Sequence, residues 1–181
     1  MQITSLPADE AMHRQMAHLL VEGFRVHWDA WKTTDEGLEE VQMVDKEGFV
    51  RVALSDDGRR VLGWIGGLPE YDGNVWELHP LVVDESVQKQ GIGRALVAAF
   101  EAEVKARGGL SIRLGTDDED GMTSLANTDL YVNLWEKIAT IQNLKGHPYE
   151  FYQKLGYVIT GVMPDANGRG KPDIIMGKRV E

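Results

Sequence analysis

Apolar residues mark the chain in two rhythms. Met12, Met16, Leu19, Leu20 and Phe24 recur at helical spacing, and Leu6-Pro7-Ala8-Asp9 ahead of them, with proline in the first turn and an acid nearby, predicts where that helix begins. His27-Trp-Asp-Ala-Trp31 follows as a loop or a short second helix, with Trp28 and Trp31 as hydrophobic anchors or as a wall of a substrate cleft. Glu36, Glu39 and Glu40 read as the solvated face of another helix. Phe49–Leu54 and Val61–Ile65 flank the turn-type cluster Asp56-Asp-Gly58 and predict a hairpin, after which Gly66–Gly73 is expected to turn the chain.

Leu78, Leu81, Val82 and Val83 form the next strand, interrupted by Pro80. Proline has no N–H to give a ladder, so pairing must break or bulge there. Ile92, Leu96, Phe100 and Val104, four residues apart, give a helix stopped by Gly108-Gly109, and Leu110, Ile112 and Leu114 alternate as a strand. A longer helix is expected from about Asp129 to Leu144 on the spacing of Leu130, Leu134, Ile138 and Ile141. A short helix from Pro148, closed by Gly156, and strands near Tyr157–Val162 and Ile174–Lys178 complete the order. The pattern suits one α+β domain spanning 1–181, a mixed sheet with helices against it.

Composition narrows the function classes. With 29 acidic and 19 basic residues the formal net charge is −10, which argues against nucleic acid or an anionic membrane as partner and would attract polycations. Acidity for solubility alone is the plainer reading of that charge. There is no cysteine, so disulfides, thiolate metal sites and a cysteine nucleophile are excluded. The five histidines, at 13, 18, 27, 79 and 147, form no H-E-x-x-H pattern, and no metal is expected. No apolar run reaches membrane-span length and the first residues lack a signal-peptide pattern, so a cytoplasmic protein is expected.

The strand containing Pro80 leads to Gln88-Lys-Gln-Gly-Ile-Gly93, which opens the helix from Ile92. Unpaired amides and the positive end of the helix dipole make such a loop an anion site. A dinucleotide fingerprint fails because its third glycine would fall at Leu96, and no Walker lysine follows. A plain capping loop is the alternative. Gln88-x-x-Gly91-x-Gly93 after such a strand resembles the acetyl-CoA loop of the GNAT N-acetyltransferases. Glu77-Leu-His-Pro-Leu-Val-Val83, Leu114-Gly-Thr-Asp-Asp-Glu119, Thr128-Asp-Leu-Tyr131, Ile141-Gln-Asn-Leu144, His147-Pro-Tyr-Glu-Phe-Tyr152, Pro164-Asp-Ala-Asn-Gly168 and Lys171-Pro-Asp173 resemble, within that superfamily, the aminoglycoside 6′-N-acetyltransferases of enterococcal type. The similarity runs from about Gly63 to the C-terminus.

The resemblance implies a mostly antiparallel mixed sheet, splayed at its central strands and flanked by helices. It implies acetyl-CoA as co-substrate, an aminoglycoside whose 6′-amine is acetylated by direct attack in a ternary complex, antibiotic resistance as the outcome, and a homodimer. Leu81, Val82 and Val83 would pair with the pantetheine arm as an added strand, the Leu81 amide polarising the thioester carbonyl. Gln88, Lys89, Gln90, Gly91, Ile92, Gly93 and Arg94 would hold the pyrophosphate. Glu77 matches the proposed base, His79 sits two residues on, and Tyr152 matches the donor near sulfur. Trp28, Tyr71, Glu77, Asp117 and Asp118 are the substrate-contact candidates. For these residues the alternatives are an ion pair at Glu77, a structural hydrogen bond at His79, a core tyrosine at 152 and a solvent loop at 117–120. Two rivals to the whole reading are acetylation of another amine, such as a polyamine or protein N-terminus, and a CoA-binding protein without turnover. The acidic Asp117–Asp120 run favours a polycation over a neutral amine, and Glu77 with Tyr152 argues against loss of turnover.

Overall fold

Helix α1 (Glu10–Phe24) starts where Asp9 caps it, its carboxylate accepting from the Ala11 amide at 2.8 Å. Helix α2 (Thr34–Glu47) opens on a capping box made by Thr33 and Glu36. The structure is a computed structural model and describes residues 1–25 and 30–180. These fall into two compact units, Met1–Ile112 with Val180, and Arg113–Arg179.

In the first unit, β1 (Gln2–Ser5), β2 (Phe49–Leu54), β3 (Val61–Glu70) and β4 (Val75–Val83) pair in that order, each antiparallel to the next. The β2–β3 hairpin forms around Asp56-Asp57-Gly58, as its turn chemistry predicts. Strand β1 was not read from the sequence; Gln2–Ser5 is too short to show alternation. On one face Met16 and Leu20 of α1 and Val41 and Val44 of α2 pack with Val50, Val52, Trp64 and Val82, and the Trp64 indole donates to Met16 O at 3.0 Å. On the other, α3 (Ile92–Ala106) buries Ile92, Leu96, Phe100 and Val104, and Phe49 stacks between Phe100 and Trp76 with both centroid distances 5.2 Å.

Two expectations change here. The segment from Gly66 extends β3 to Glu70 instead of turning, and the turn falls at Tyr71–Gly73. The glycines answer to packing: a Cβ on Gly66 would lie 2.4 Å from His79 O and 2.5 Å from a Val44 methyl. Glu40 is also not on a solvated face. It lies on the inner side of α2, beside the buried Gly37, Val41 and Val44.

In the second unit β5 (Ser111–Asp117), β7 (Asp173–Arg179) and β6 (Val158–Met163) lie in the order β5-β7-β6, with β6 and β7 antiparallel. The helix expected over 129–144 is reduced to α4 (Leu134–Ala139). Asn133 has φ 53°, which stops helical propagation, and the flanking amides are used between loops: Ser124 N to Gln142 O at 3.0 Å and Leu144 N to Met122 O at 2.8 Å. Helix α5 (Tyr149–Gln153) follows Pro148, and Gly156 closes it at φ 89°. The α+β class with seven strands agrees with the sequence reading.

Candidate active site

Strand β4 carries the first half of the candidate machinery, and its pairing shows how Pro80 is accommodated. Ile65 faces Leu81 and Gly67 faces Leu78, so the single residue Gly66 stands opposite both His79 and Pro80. This is a β-bulge. Its effect is to exchange the two faces of the strand. Before it, Trp76 packs toward α3, beneath the Arg107 guanidinium at 5.4 Å. After it, Val82 turns to α1, with a methyl 2.6 Å from where a Cβ on Gly23 would sit. Glu77 alternates with Trp76 and therefore lies on the α1–α2 side, as does His79.

His79 Nε2 is 3.3 Å from Glu40 Oε1 on α2, a contact just short of an aligned hydrogen bond. The other carboxylate oxygen accepts from the Trp31 indole at 3.2 Å, and the Trp31 and His79 rings are 5.9 Å apart. The His79 contact holds the Glu40 carboxyl below its ordinary value, against burial, which acts the other way; the indole adds to the lowering. Sequence reading missed Glu40. Including Gly37 in the period of α2 would have placed positions 37, 40, 41 and 44 on one stripe.

The loop after β4 has the features of an anion cradle. Lys89 and Gly91 have φ of 60° and 89°, and the first α3 amide with a backbone acceptor outside the helix is Ala95, bonded to Gly91 O at 3.0 Å. Among the described residues the amides from Lys89 to Arg94 donate to no protein acceptor, and Lys89 and Arg94 are exposed and outside any ion pair. A Cβ on Gly91 would meet nothing within 4 Å. The residues thus suit a diphosphate. Gln88 reaches back, its amide donating to Val83 O at 3.2 Å.

The second unit holds the other candidates. Tyr152 is buried against Phe151 and Tyr157, at centroid distances of 5.1 and 5.7 Å, and burial pushes its phenol well above the usual value. Asp117 is exposed and accepts from the Asn167 amide. Asp118 is different. It is wholly buried, its oxygens accepting from Met122 N at 2.6 Å and Thr123 N at 2.8 Å. It shapes the loop and offers no surface to a substrate amine, which corrects the expectation for it. Tyr71, in the first unit, is 75% exposed. Trp28 lies outside the described residues.

A cavity of about 810 Å³ in the second unit was not anticipated; Asn127–Tyr131, Asp165, Arg169 and Gly170 line it. None of the predicted site residues does. Its signal was present in the Thr128–Tyr131 and Pro164–Gly168 motifs, to which no role had been given.

A strand broken by a proline bulge that feeds an amide-rich helix start points to CoA-dependent acyl transfer. The profile of the GNAT acetyltransferase family matches residues 13–126, and the chain belongs to that family. Among solved structures it is similar to an aminoglycoside 6′-N-acetyltransferase complexed with coenzyme A, at 43% identity over 100% of this chain and 98% of that one, with a TM-score of 0.91. The aminoglycoside 6′-N-acetyltransferase from Enterococcus faecium is likewise 43% identical over the same shares, with a TM-score of 0.89. An aminoglycoside 6′-acetyltransferase type Ii is 37% identical over 100% and 98%, with a TM-score of 0.76. A search of curated proteins gives no match.

Proposed function

We propose that this chain transfers the acetyl group of acetyl-CoA to the 6′-amine of aminoglycosides, by direct attack in a ternary complex, and so confers resistance to them. The observation that carries this is 43% identity across the whole chain to an aminoglycoside 6′-N-acetyltransferase complexed with coenzyme A. The acidic balance of the chain, −10, supports a polycationic substrate.

In this reading the amides from Lys89 to Arg94 hold the pyrophosphate, and the backbone of Leu81–Val83 pairs with the pantetheine arm. An aminoglycoside amine with a pKa of about 8 to 10 is mostly protonated at pH 7. Glu77 binds that ammonium and accepts its proton, directly or through water. The freed lone pair forms the N–C bond at the thioester carbonyl, whose oxyanion the Leu81 amide stabilises. The C–S bond then breaks as the nitrogen sheds its second proton to solvent, and the departing thiolate, stabilised by a hydrogen bond from the Tyr152 phenol that burial keeps un-ionised, takes its proton from solvent. A homodimer and a cytoplasmic location belong to this proposal.

The test is thiol release from acetyl-CoA against a panel of aminoglycosides, polyamines and peptides. Turnover with 6′-amino aminoglycosides alone is expected. Equal or greater turnover with polyamines or peptide N-termini overturns the substrate assignment, and no turnover with any amine overturns the activity.

A further inference from the structure

We infer that Glu40 is a positioning residue for His79, fixing the imidazole with its proton on Nε2 and leaving Nδ1 as a second acceptor, beside Glu77, for the substrate ammonium. The inference rests on the proposed acetyltransferase reading and adds a residue that this reading does not contain.

Three observations carry it. Glu40 Oε1 is buried and has no aligned donor, and His79 Nε2, 3.3 Å away, is the group placed to satisfy it. A buried carboxylate oxygen left without a donor is costly, so a proton on Nε2 is favoured over one on Nδ1. Glu40 is itself held from the other side, by the Trp31 indole at 3.2 Å, so that its carboxylate lies between two ring nitrogens. Finally, among the described residues His79 Nδ1 has no protein partner, and its side chain is 28% exposed. One ring nitrogen is therefore committed and the other open. Tautomer control through the far nitrogen is how carboxylates orient histidines in other sites. Of the charged groups among the described residues of the first unit, Glu40 from α2 faces this ring, and Glu77 shares its side of β4.

Two measurements test this. In nitrogen-15 spectra of the full chain at pH 8.5, where imidazoles are ordinarily neutral, His79 should show a protonated Nε2 and a bare Nδ1, its signals being assigned by their loss in His79→Asn. A proton on Nδ1 overturns the inference. The kinetic arm is a double-mutant cycle. Glu40→Gln keeps size and the indole bond but loses the charge; it should lower kcat/KM for a 6′-amino aminoglycoside roughly 10- to 100-fold, as for other partners that orient an imidazole, with the acetyl-CoA KM unchanged. In the His79→Asn background the same change should have no further effect. An equal loss in both backgrounds makes Glu40 merely structural and overturns the inference. If the wild-type chain turns over no aminoglycoside, the function proposal fails and the spectra alone decide the tautomer.

Discussion

The imidazole of His147 donates from Nε2 to the backbone carbonyl of Asp117, 3.0 Å away, and so ties the approach to α5 to the end of β5. Its Nδ1 accepts from the Tyr149 amide at 3.2 Å, which leaves no place for a second proton. Burial lowers the pKa of this ring, outweighing the favourable influence of the Asp117 carbonyl and of the Asp118 and Asp117 charges. The unfolded chain therefore binds the extra proton first, so the stability due to His147 is complete above the ordinary value of 6.5 and is lost as pH falls below it. Thermal unfolding should show Tm falling from pH 8 to pH 5.5 more steeply in the wild type than in His147→Gln. The variant itself should be about 1–3 kcal/mol less stable at pH 8.

Glu77→Gln retains shape but loses the charge and the proton acceptor. Its kcat should fall by about 10²- to 10⁴-fold, with acetyl-CoA affinity preserved by calorimetry. Raising the pH should rescue it more than the wild type, because solution then supplies neutral amine. A rise in aminoglycoside KM with kcat and its pH profile unchanged would reduce Glu77 to an anchor for the ammonium.

Tyr152→Phe should lower kcat roughly 10- to 100-fold while leaving both KM values close to those of the wild type, the loss expected when water replaces in part a hydrogen-bond donor to the leaving thiolate. Because the phenol is already buried between aromatic rings, the fold should tolerate the change. A variant with the wild-type kcat would leave Tyr152 a core residue.

The neighbouring acids should separate cleanly. Asp118→Asn loses a charged acceptor of two buried amides and should cost about 1.5–3 kcal/mol in urea unfolding. Asp117→Asn should leave stability nearly unchanged and raise the aminoglycoside KM about 2- to 5-fold, the size of a screened surface charge. That increase should shrink at high salt. A shift in unfolding midpoint for Asp117→Asn matching that of Asp118→Asn would make both structural.

Gly91→Ala and Gly91→Asp separate strain from charge in the loop. Either substitution forces a side chain into the left-handed region at a cost of about 1–2 kcal/mol. Only the aspartate should weaken CoA binding strongly, by about tenfold or more. Equal CoA affinity in the two variants would remove the loop from the cofactor site.

What the sequence revealed depended on whether a residue's role was local. The helix at Ile92, the hairpin around Asp57 and the Pro80 break follow from spacing and backbone chemistry within a few residues, and all three are present. The expected helix over 129–144 failed because the spacing of Leu130, Leu134, Ile138 and Ile141 is equally compatible with loops whose amides pair with each other. Gly66 suggests a turn in the sequence because close approach to His79 and Val44 leaves the same mark there as positive φ does. Asp118 and Glu40 were misplaced for a related reason: a carboxylate shows its charge in the sequence but not which amide or ring it will meet.

The doubled position at His79–Pro80 makes β4 a strand in two phases, one set against α3 and the other against α1 and α2. Removing one of the two would give an even ladder in which Glu77 still stands opposite Leu68 and Leu81 opposite Ile65, so the side chains of both halves would keep their layers. What would go is the doubled position itself, and with it the gap in pairing opposite Gly66. The extra residue therefore adds nothing to the packing of the sheet. In a nine-residue strand that needs only eight to fill its two layers, the ninth belongs to the backbone between Glu77 and Leu81, the residues to which the proposed chemistry gives the base and the oxyanion donor.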